Sequence, residues 1–302
     1  MELWIPLTIL AAFFQNLRSA FQKYLKGSLS TAGASYVRFL YAWPFSIIYC
    51  FSLNQFGGYP FPQINEIFLL YCLLGGASQI IFTLLLIYLF SFKSFAIGTI
   101  YSKTEVVQVA FLSLILLGDE INILTGIAIL ISVIGVMVLS ASKSKITIGT
   151  LFQGIMQRTT LIGLLCGAFL GASSVFYRGA SLALNDSEII MKAAFSLAIA
   201  LTIQSILMGA YLKVREAKQI SAIIKNWKPA LIVGISGVLG SICWFTAFTA
   251  QNAAYVRALG QIELIFTFIA SLVFFKEKTN LLELTGITAI IIAIIILLLN
   301  TS

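Results

Sequence analysis

Two stretches of this chain repeat each other: EVVQVAFLSLILLGD at residues 105–119 and ELIFTFIASLVFFKE at residues 263–277. An offset of 158 places Glu105 on Glu263, and the acid that ends the first stretch, 14 residues later, on the acid that ends the second. The residues between the acids are almost wholly apolar. A carboxylate inside an apolar segment of bilayer length is costly and is by default a functional feature. We therefore interpret the chain as a duplication whose halves share an unusual device.

The composition is that of a membrane protein. Hydrophobic residues make up 60% of the chain and charged residues 10%, against roughly 45–50% and 25% in soluble domains. A spanning helix needs about 20 apolar residues, so 302 residues accommodate ten spans and no sizeable soluble domain. The net charge of +8, which would suggest nucleic acid in a soluble chain, is interpreted here as membrane topology, and no nucleic-acid partner is expected.

Hydropathy divides the chain into two halves of five spans. The ten expected spans cover residues 3–24, 32–53, 66–89, 94–117, 121–141, 160–182, 187–212, 229–251, 254–275 and 280–299. The longest joint lies at 142–158, which makes 1–141 the first repeat and 159–302 the second. We expect an all-α membrane protein of ten transmembrane helices, arranged as two five-helix repeats.

The repeats are expected to be inverted with respect to the membrane. At an offset of 154, Arg38 falls on Lys192 and Ser19 on Ser173. A repeat with an odd number of spans enters its second copy from the opposite side, so a pseudo-two-fold axis in the membrane plane relates the halves.

The distribution of Lys and Arg predicts the orientation. The joints after odd-numbered spans hold Lys23, Lys26, Lys93, Lys143, Lys145, Arg158, Lys213, Arg215, Lys218, Lys225, Lys228, Lys276 and Lys278, whereas the other joints and both ends hold none. Those other joints and ends hold Glu2, Glu66, Asp119, Glu120, Asp186 and Glu188. Basic residues in short loops stay in the cytoplasm. We expect a multi-pass protein of the cell (inner) membrane with both termini on the non-cytoplasmic side.

The spans themselves retain more cations than anions. The charged residues within them are Arg18, Arg38, Lys103, Glu105, Arg178, Lys192, Arg257 and Glu263. Each charge at mid-helix costs roughly 2.5–3.5 kcal/mol on insertion scales, and about four positive charges need a counter-charge from elsewhere. The alternative for the cations near span ends is that their side chains reach the lipid headgroups. That alternative applies to Arg18, Arg38, Arg178, Lys192 and Arg257.

Spans four and nine carry two polar stripes each. Residues two apart on a helix are separated by about 200°, so Lys103 and Glu105 cannot share a face. In span four the stripes are Thr99 with Lys103, and Tyr101 with Glu105 and Gln108; in span nine they are Arg257 with Gln261, and Leu259 with Glu263 and Phe266. One stripe lines a cavity and the other packs against a neighbouring helix, and the sequence leaves open which is which. For both glutamates, structural pairing and a transport role stay open.

Further polar candidates lie in other spans, and Gln15 and Arg18 share a helix face because they are three residues apart. The full set of candidate binding residues is Gln15, Arg18, Gln79, Tyr101, Lys103, Trp244, Arg257 and Gln261, with Glu105 and Glu263 as coupling or structural acids. The chain has no His and its four Cys lie within apolar spans, so no metal site, cofactor or catalytic residue is expected.

These patterns resemble a known family. A basic residue early in the second span of each half (YVRFL with Arg38, IIMKAAF with Lys192) and the paired acids of spans four and nine resemble the EamA-domain branch of the drug/metabolite transporter superfamily. The resemblance covers nearly the whole chain. It departs after the acids, where Val106 and Leu264 stand in place of the proline often found there, so the proline that would kink these helices is missing.

The resemblance implies a fold and a mechanism. It implies that spans one, three, four, six, eight and nine surround a central cavity, with five and ten outside, and that transport proceeds by rocking of the halves. Members of the family carry amino acids, nucleotide sugars, drugs, phosphorylated sugars and other metabolites. No GxxxxGK[ST] motif is present, so the energy would come from an ion or substrate gradient.

Taken with the excess of cations, these implications predict a secondary transporter of a small anionic or zwitterionic metabolite such as an amino acid, with export preferred. At least one glutamate is expected to pair structurally, while Lys103 and Arg257 contact the substrate. One alternative is an exporter of hydrophobic cationic drugs held by Glu105, Glu263 and Trp244. A different class, a membrane-embedded enzyme or lipid scramblase, stays open, although an enzyme lacks an activated nucleophile arrangement. The lipid bilayer is the expected surrounding, and a monomer or homodimer the expected state.

Overall fold

A computed structural model describes residues 2–89, 92, 95–143, 149, 157–185, 188–273 and 279–301 of the chain. Within these residues the secondary structure is helical and contains no strand. The described residues include Gln108 and Phe266. They do not include Phe90, Lys93, Lys145, Asp186, Lys276, Glu277 and Lys278. The counterpart of Asp119 in the second repeat, Glu277, is among these.

The described residues form fourteen helices. They are α1 Trp4–Leu25, α2 Thr31–Leu40, α3 Trp43–Gly57, α4 Glu66–Leu89, α5 Phe95–Ser102, α6 Glu105–Leu117, α7 Ile123–Lys143, α8 Arg158–Ala183, α9 Ile189–Arg215, α10 Ala217–Lys225, α11 Trp227–Ala250, α12 Ala253–Gly260, α13 Ile262–Val273 and α14 Leu281–Thr301. The short helix α10 lies in the joint between the seventh and eighth predicted spans.

Seven helical segments are long and apolar enough to cross a membrane. They are Glu66–Leu89, Ile100–Leu117, Ile123–Ser142, Arg158–Ala183, Ile189–Arg215, Trp227–Ala250 and Leu281–Asn300. The first, second and ninth predicted spans are not among them. The first carries Gln15, Asn16 and Arg18 in its middle, and the other two are each divided into two short helices.

The break in the second span has a covalent cause. Pro44 is the second residue of α3, directly after the end of α2 at Leu40 and the two-residue turn that follows. A proline lacks the backbone N–H, and its ring clashes with the carbonyl group four residues before it, which here belongs to Leu40. The helix therefore ends at that residue and restarts at Trp43.

The fourth and ninth spans break without a proline. At the first break Lys103 N–H donates to Ile100 O at 3.1 Å, and at the second Gln261 N–H donates to Ala258 O at 3.2 Å. These are tight three-residue turns of the 3₁₀ type, which often mark a functional site within a helix. A new helix starts at Glu105 in one span and at Ile262, next to Glu263, in the other. The missing proline of the family pattern is therefore not needed for the interruption.

Helix packing follows the duplication. The most extensive contacts join α1 to α11, α4 to α8 and α7 to α14. The repeat relates α1 to α8, α4 to α11 and α7 to α14. The contact of α1 with α11 is therefore equivalent to the contact of α8 with α4, and the contact of α7 with α14 is equivalent to itself. This is the pattern of a two-fold relationship between the repeats.

Small residues allow close approach at these contacts. A Cβ atom on Gly163 of α8 would lie 2.1 Å from the carbonyl oxygen of Gly98 in α5, and one on Gly167 would lie 2.8 Å from that of Ser102. Such contacts let backbones touch, as small residues do at helix interfaces in membranes. They hold α8 against the broken fourth span.

The outer surface is apolar. Large aliphatic side chains are exposed on the peripheral helices α6, α7 and α14, among them Ile115, Ile134 and Leu299. Contiguous apolar exposure on this scale marks a surface that is covered by another apolar medium. With the seven long apolar helices, it defines a multi-pass membrane protein.

Candidate functional site

Two ion pairs cross between the repeats at the centre of the molecule. Lys103 pairs with Glu263, and Arg257 pairs with Glu105. Each acid is therefore neutralised by a base from the other half of the chain. The Arg257–Glu105 pair is the more enclosed, with side chains 5% and 2% exposed, against 21% and 10% for Lys103 and Glu263.

The helix breaks place these charges. Arg257 lies in the last turn of α12, and Lys103 directly follows the last residue of α5. Glu105 and Glu263 lie in the first turns of α6 and α13. Basic groups are stabilised at helix C-termini and acidic groups at N-termini, so each break favours the charges that flank it. Lys103 and Glu105 do not pair with each other, in agreement with their spacing.

A polar network continues from Glu263. Gln15 Nε2 donates to Glu263 Oε2 at 2.8 Å, and Asn16 Nδ2 donates to the backbone oxygen of Glu263 at 3.0 Å. Trp244 Nε1 donates to Gln15 Oε1 at 3.2 Å. The guanidinium of Arg257 lies 4.9 Å from the Trp244 ring centroid, within cation–π range. Three residues predicted from different spans, Gln15, Trp244 and Arg257, therefore form one assembly.

Gln79 belongs to a second network. Its Oε1 accepts hydrogen bonds from Gln204 Nε2 at 2.9 Å and from the Tyr177 hydroxyl at 3.3 Å. Both partners are buried, and neither was among the residues predicted for the site. A Gln in span seven and a Tyr in span six gave no repeated motif that could have marked them.

Two cavities lie between the helices. The wider cavity has a volume of about 390 Å³ and is lined by Asn16, Arg18, Ser19, Ala20, Gln22, Lys23, Lys26, Arg38, Phe82, Thr83, Leu86, Ile87 and Thr267. The narrow cavity has about 20 Å³ and is lined by Gln15, Arg18, Arg38, Gln79, Phe82, Leu170, Ser173, Ser174, Tyr177, Ser241, Trp244, Phe245, Phe248 and Arg257. Arg18, Arg38 and Phe82 line both and stand between the two spaces.

Five of the eight candidate binding residues line the narrow cavity: Gln15, Arg18, Gln79, Trp244 and Arg257. The other three line neither cavity. Lys103 is bound to Glu263, Gln261 is buried at the break of the ninth span, and Tyr101 packs with Ile100 and Ala141.

The cavity walls differ from the expected set of helices. Spans one, three, six, eight and nine contribute, but the fourth span contributes no described residue to either cavity, and the second span contributes Arg38. The side chain of Arg38 is 6% exposed and faces both cavities, so it does not reach for the headgroups. Its position early in span two was compatible with a side chain that reaches the lipid headgroups and with one that faces a cavity. The packing of the neighbouring helices decides between these two orientations.

Arg18 and Arg38 are two buried cations of this region that form no ion pair with a described residue. Both are 6% exposed. In the part of the chain that the structure describes, the ion pairs involve Lys103, Arg178 and Arg257, and the Nε of Arg18 has no hydrogen-bond partner. Arg38 Nη1 donates to Thr83 Oγ1 at 3.3 Å. A buried charge without a counter-charge is unfavourable, so this pair of guanidinium groups can stabilise an anion.

Arg178 joins helix ends on the side opposite to Lys23 and Lys26. It donates to both carboxylate oxygens of Asp119, and its Nη1 donates to the backbone oxygens of Phe248 at 2.9 Å and Gln251 at 2.6 Å. These oxygens belong to the last turn of α11 and the residue after it, where carbonyl groups have no partner within the helix. Asp119 was predicted as half of a repeated acid pair, but its pairing with Arg178 was not predicted.

Among the described residues, no group of three His, Cys, Asp or Glu side chains lies close enough to hold a metal ion. The charged groups of the site are instead basic residues that face cavities and acids that are held in ion pairs.

These features define a multi-pass helical membrane protein in which two copies of one repeat share a charged centre. The chain belongs to the EamA-like transporter family, whose model matches residues 2–141 and again residues 157–299. The resemblance noted in the sequence is thereby confirmed, and the family is one of membrane transporters of small molecules. No curated protein matches the chain.

Solved structures agree on the fold. Matches extend to 28 chains, and one of them, a crystal structure, covers 98% of this chain and 96% of its own at a TM-score of 0.72. The two sequences are 11% identical, so this likeness concerns the fold alone.

Proposed function

We propose that this protein is a secondary transporter that moves a small anionic or zwitterionic metabolite across the cell (inner) membrane, with export favoured. The observation that carries this proposal is the pair of buried, uncompensated arginines, Arg18 and Arg38, between two cavities in a member of a transporter family. A substrate carboxylate or phosphate would supply the missing charge through hydrogen bonds that are stronger than those between neutral groups.

The two cavities support alternating access. A space of about 390 Å³ is in the range of small-molecule pockets, whereas about 20 Å³ holds on the order of one water molecule. The wider cavity adjoins Lys23 and Lys26 at the C-terminal end of α1, and Arg178 binds the helices together at the other end. Such an arrangement is expected of a state that is open towards one side only, with rocking of the repeats opening the other.

The topology proposed from the sequence completes this scheme. Ten spans in two inverted repeats, residues 1–141 and 159–302 joined by 142–158, would place both termini outside and the wider cavity on the cytoplasmic side. Reporter fusions after Lys225 and after the C-terminal residue test this. Cytoplasmic activity of the C-terminal fusion would reverse the orientation and make the wider cavity external.

Substrate contact is assigned first to Arg18 and Arg38, with Gln15, Gln79 and Trp244 around them. Lys103 and Arg257, which we expected to bind substrate, are each held by a glutamate of the other repeat in this conformation. We propose that these two pairs join the halves while the substrate site lies towards the arginines. Tyr101 and Gln261 then have a structural role.

The alternatives have weaker support. A hydrophobic cation would need a free carboxylate, and both Glu105 and Glu263 are engaged by basic residues. A membrane-embedded enzyme or a lipid scramblase gains nothing from the family, whose members are transporters.

Uptake into proteoliposomes tests the proposal. Radiolabelled organic acids, amino acids and quaternary amines are offered to the purified protein, with protein-free liposomes as the blank. We expect accumulation of an anion or zwitterion that Arg18→Gln abolishes and Lys192→Gln leaves intact. Lys192 is the matched control because it is a basic residue of a span that lines neither cavity. Transport of the amines alone, unaffected by Arg18→Gln, would contradict the proposal.

A further inference from the structure

The structure allows the substrate class to be narrowed. Resting on the transport function proposed above, we propose that Arg18 and Arg38 together bind one dianionic head group of the phosphate monoester type, carried on a small apolar body. A zwitterion such as an amino acid then fits the site less well.

The guanidinium groups of Arg18 and Arg38 have hydrogen-bonding capacity left over. A guanidinium has five N–H donors in a rigid fork, and both residues are 6% exposed. Across the described residues, the buried Nε of Arg18 donates to nothing, and Arg38 donates from Nη1 to Thr83 Oγ1 at 3.3 Å. Buried polar groups are normally satisfied, so donors left over in a cavity wall indicate a ligand.

Both arginines can serve one ligand group. They come from α1 and α2, and both line the wider cavity, whose volume of about 390 Å³ is in the range of small-molecule pockets. Gly237 of α11 lies against this site, since a Cβ atom there would be 3.5 Å from Cδ of Arg18. Two guanidinium forks in one cavity wall suit the several oxygens of a phosphate, which arginine binds in a bidentate manner.

The charges of Arg18 and Arg38 match those of a phosphate monoester. Two unpaired guanidinium groups carry two positive charges, and a phosphate monoester carries about −1.5 to −2 at pH 7. A carboxylate would leave one charge unmatched. Among the described residues no Asp or Glu lines either cavity. The ammonium of an amino acid would therefore lie near like charges, because Glu263, the nearest acid of the network, is already bound by Lys103 and Gln15.

The wider cavity also has an apolar wall that can hold the rest of the ligand. Phe82, Leu86 and Ile87 form an apolar wall of the wider cavity, beside Lys23 and Lys26. Basic residues around a cavity raise the local concentration of anions, and the apolar wall favours a body such as a ring or a short alkyl chain. A soluble organic phosphate and the head group of an anionic phospholipid share this chemistry.

Binding to the purified full-length protein tests the inference. Isothermal titration and thermal unfolding compare phenyl phosphate, benzoate and phenylalanine, which share an apolar ring and differ in head group. We expect phenyl phosphate to bind at least about tenfold more tightly than benzoate, and phenylalanine to bind more weakly still. Arg18→Gln and Arg38→Gln should each weaken phenyl phosphate at least about tenfold, because a hydrogen bond between charged groups is worth that factor or more. Lys192→Gln should leave binding unchanged.

A second measurement distinguishes a loss of binding from a loss of folding. Removal of a buried charge that has no counter-charge should raise the unfolding temperature of the ligand-free protein, so Arg18→Gln should be more stable without ligand and gain less from phenyl phosphate. A ligand-free protein that Arg18→Gln destabilises, together with unchanged binding, would show that Arg18 has only a structural role and would overturn the inference.

The remaining outcomes separate the two proposals. If phenylalanine binds as tightly as phenyl phosphate and depends on Arg18, the inference fails while the transport proposal stands. If none of the three binds and proteoliposomes accumulate nothing, both fail. Nanodiscs with and without phosphatidic acid distinguish the two sources of the phosphate group. If that lipid competes with phenyl phosphate, the site binds a lipid head group; if it does not compete, the site binds a soluble phosphate.

Discussion

Arg178 and Asp119 form a two-pronged ion pair, in which Nε donates to Oδ2 at 2.9 Å and Nη2 donates to Oδ1 at 3.1 Å. The third nitrogen of the same guanidinium binds two backbone oxygens at the end of α11. One side chain of α8 therefore holds the ends of two other spans. A transporter that opens at this end has to release these bonds.

We expect Asp119→Asn to increase access to the narrow cavity from that side. In a protein whose native cysteines are replaced by serine, Ser241→Cys marks a residue of the cavity wall. Its labelling by a membrane-impermeant maleimide should accelerate several-fold when Asp119→Asn is added, because the ion pair no longer favours the closed end. The neighbouring Glu120→Gln is the control, since Glu120 is exposed. Equal labelling in all three proteins would mean that the pair does not gate this end.

The crossed ion pairs should contribute unequally to stability. Arg257→Gln leaves Glu105 buried without a partner, which costs about 3–5 kcal/mol in proteins. Lys103→Gln should cost less, because Glu263 keeps its hydrogen bond from Gln15 and is more exposed. Thermal unfolding in detergent ranks the two variants. The double variant Arg257→Gln with Glu105→Gln should recover part of the stability that Arg257→Gln loses. A loss of stability in the double variant equal to the sum of the losses in Arg257→Gln alone and Glu105→Gln alone would argue against the pairing.

Neither glutamate is expected to carry protons in the cycle. Each carboxylate is engaged by a basic residue of the other repeat, so Glu105→Gln and Glu263→Gln should change stability but not the shape of the pH dependence of transport. Uptake measured between pH 5.5 and 8.5 checks this, with purified folded variants compared at equal protein amounts. A flat pH profile in a folded Glu263→Gln variant, against a sloped one in the parent, would identify Glu263 as a proton carrier.

Gly163 should tolerate no side chain. A Cβ atom there would lie 2.1 Å from the backbone oxygen of Gly98, and backbone cannot move aside cheaply. We expect Gly163→Ala to lower the unfolding temperature by several degrees. Gly126→Ala is the control, because a Cβ atom on that helical glycine meets nothing within 4 Å and alanine favours a helix. Its unfolding temperature should be unchanged or slightly raised.

Much of the architecture was predictable from the repeated acids and from hydropathy. The duplication, the family and the helical membrane class follow from features local to each segment, and those are confirmed. Seven spans are also recognisable from the described helices. The breaks next to Glu105 and Glu263 were not predictable, because no proline marks them and the turns depend on backbone hydrogen bonds that the side chains do not specify.

The site was harder to predict than the fold. The partners of Lys103 and Arg257 lie more than 150 residues away in the chain, and periodicity reports only on neighbours within one helix. Arg38 illustrates the same limit, because a basic residue near a span end can point outward or inward. Which of these occurs depends on the helices packed around it, here through Thr83 of α4.

The crossed ion pairs also have the form of an isologous interface, in which a surface is complementary to a second copy of itself. The bases stand in different registers, since Lys103 precedes its own repeat's acid by two residues and Arg257 precedes its own by six. Each nevertheless reaches the acid of the opposite repeat. Each half of the chain therefore contributes one base and one acid to the contact between the repeats.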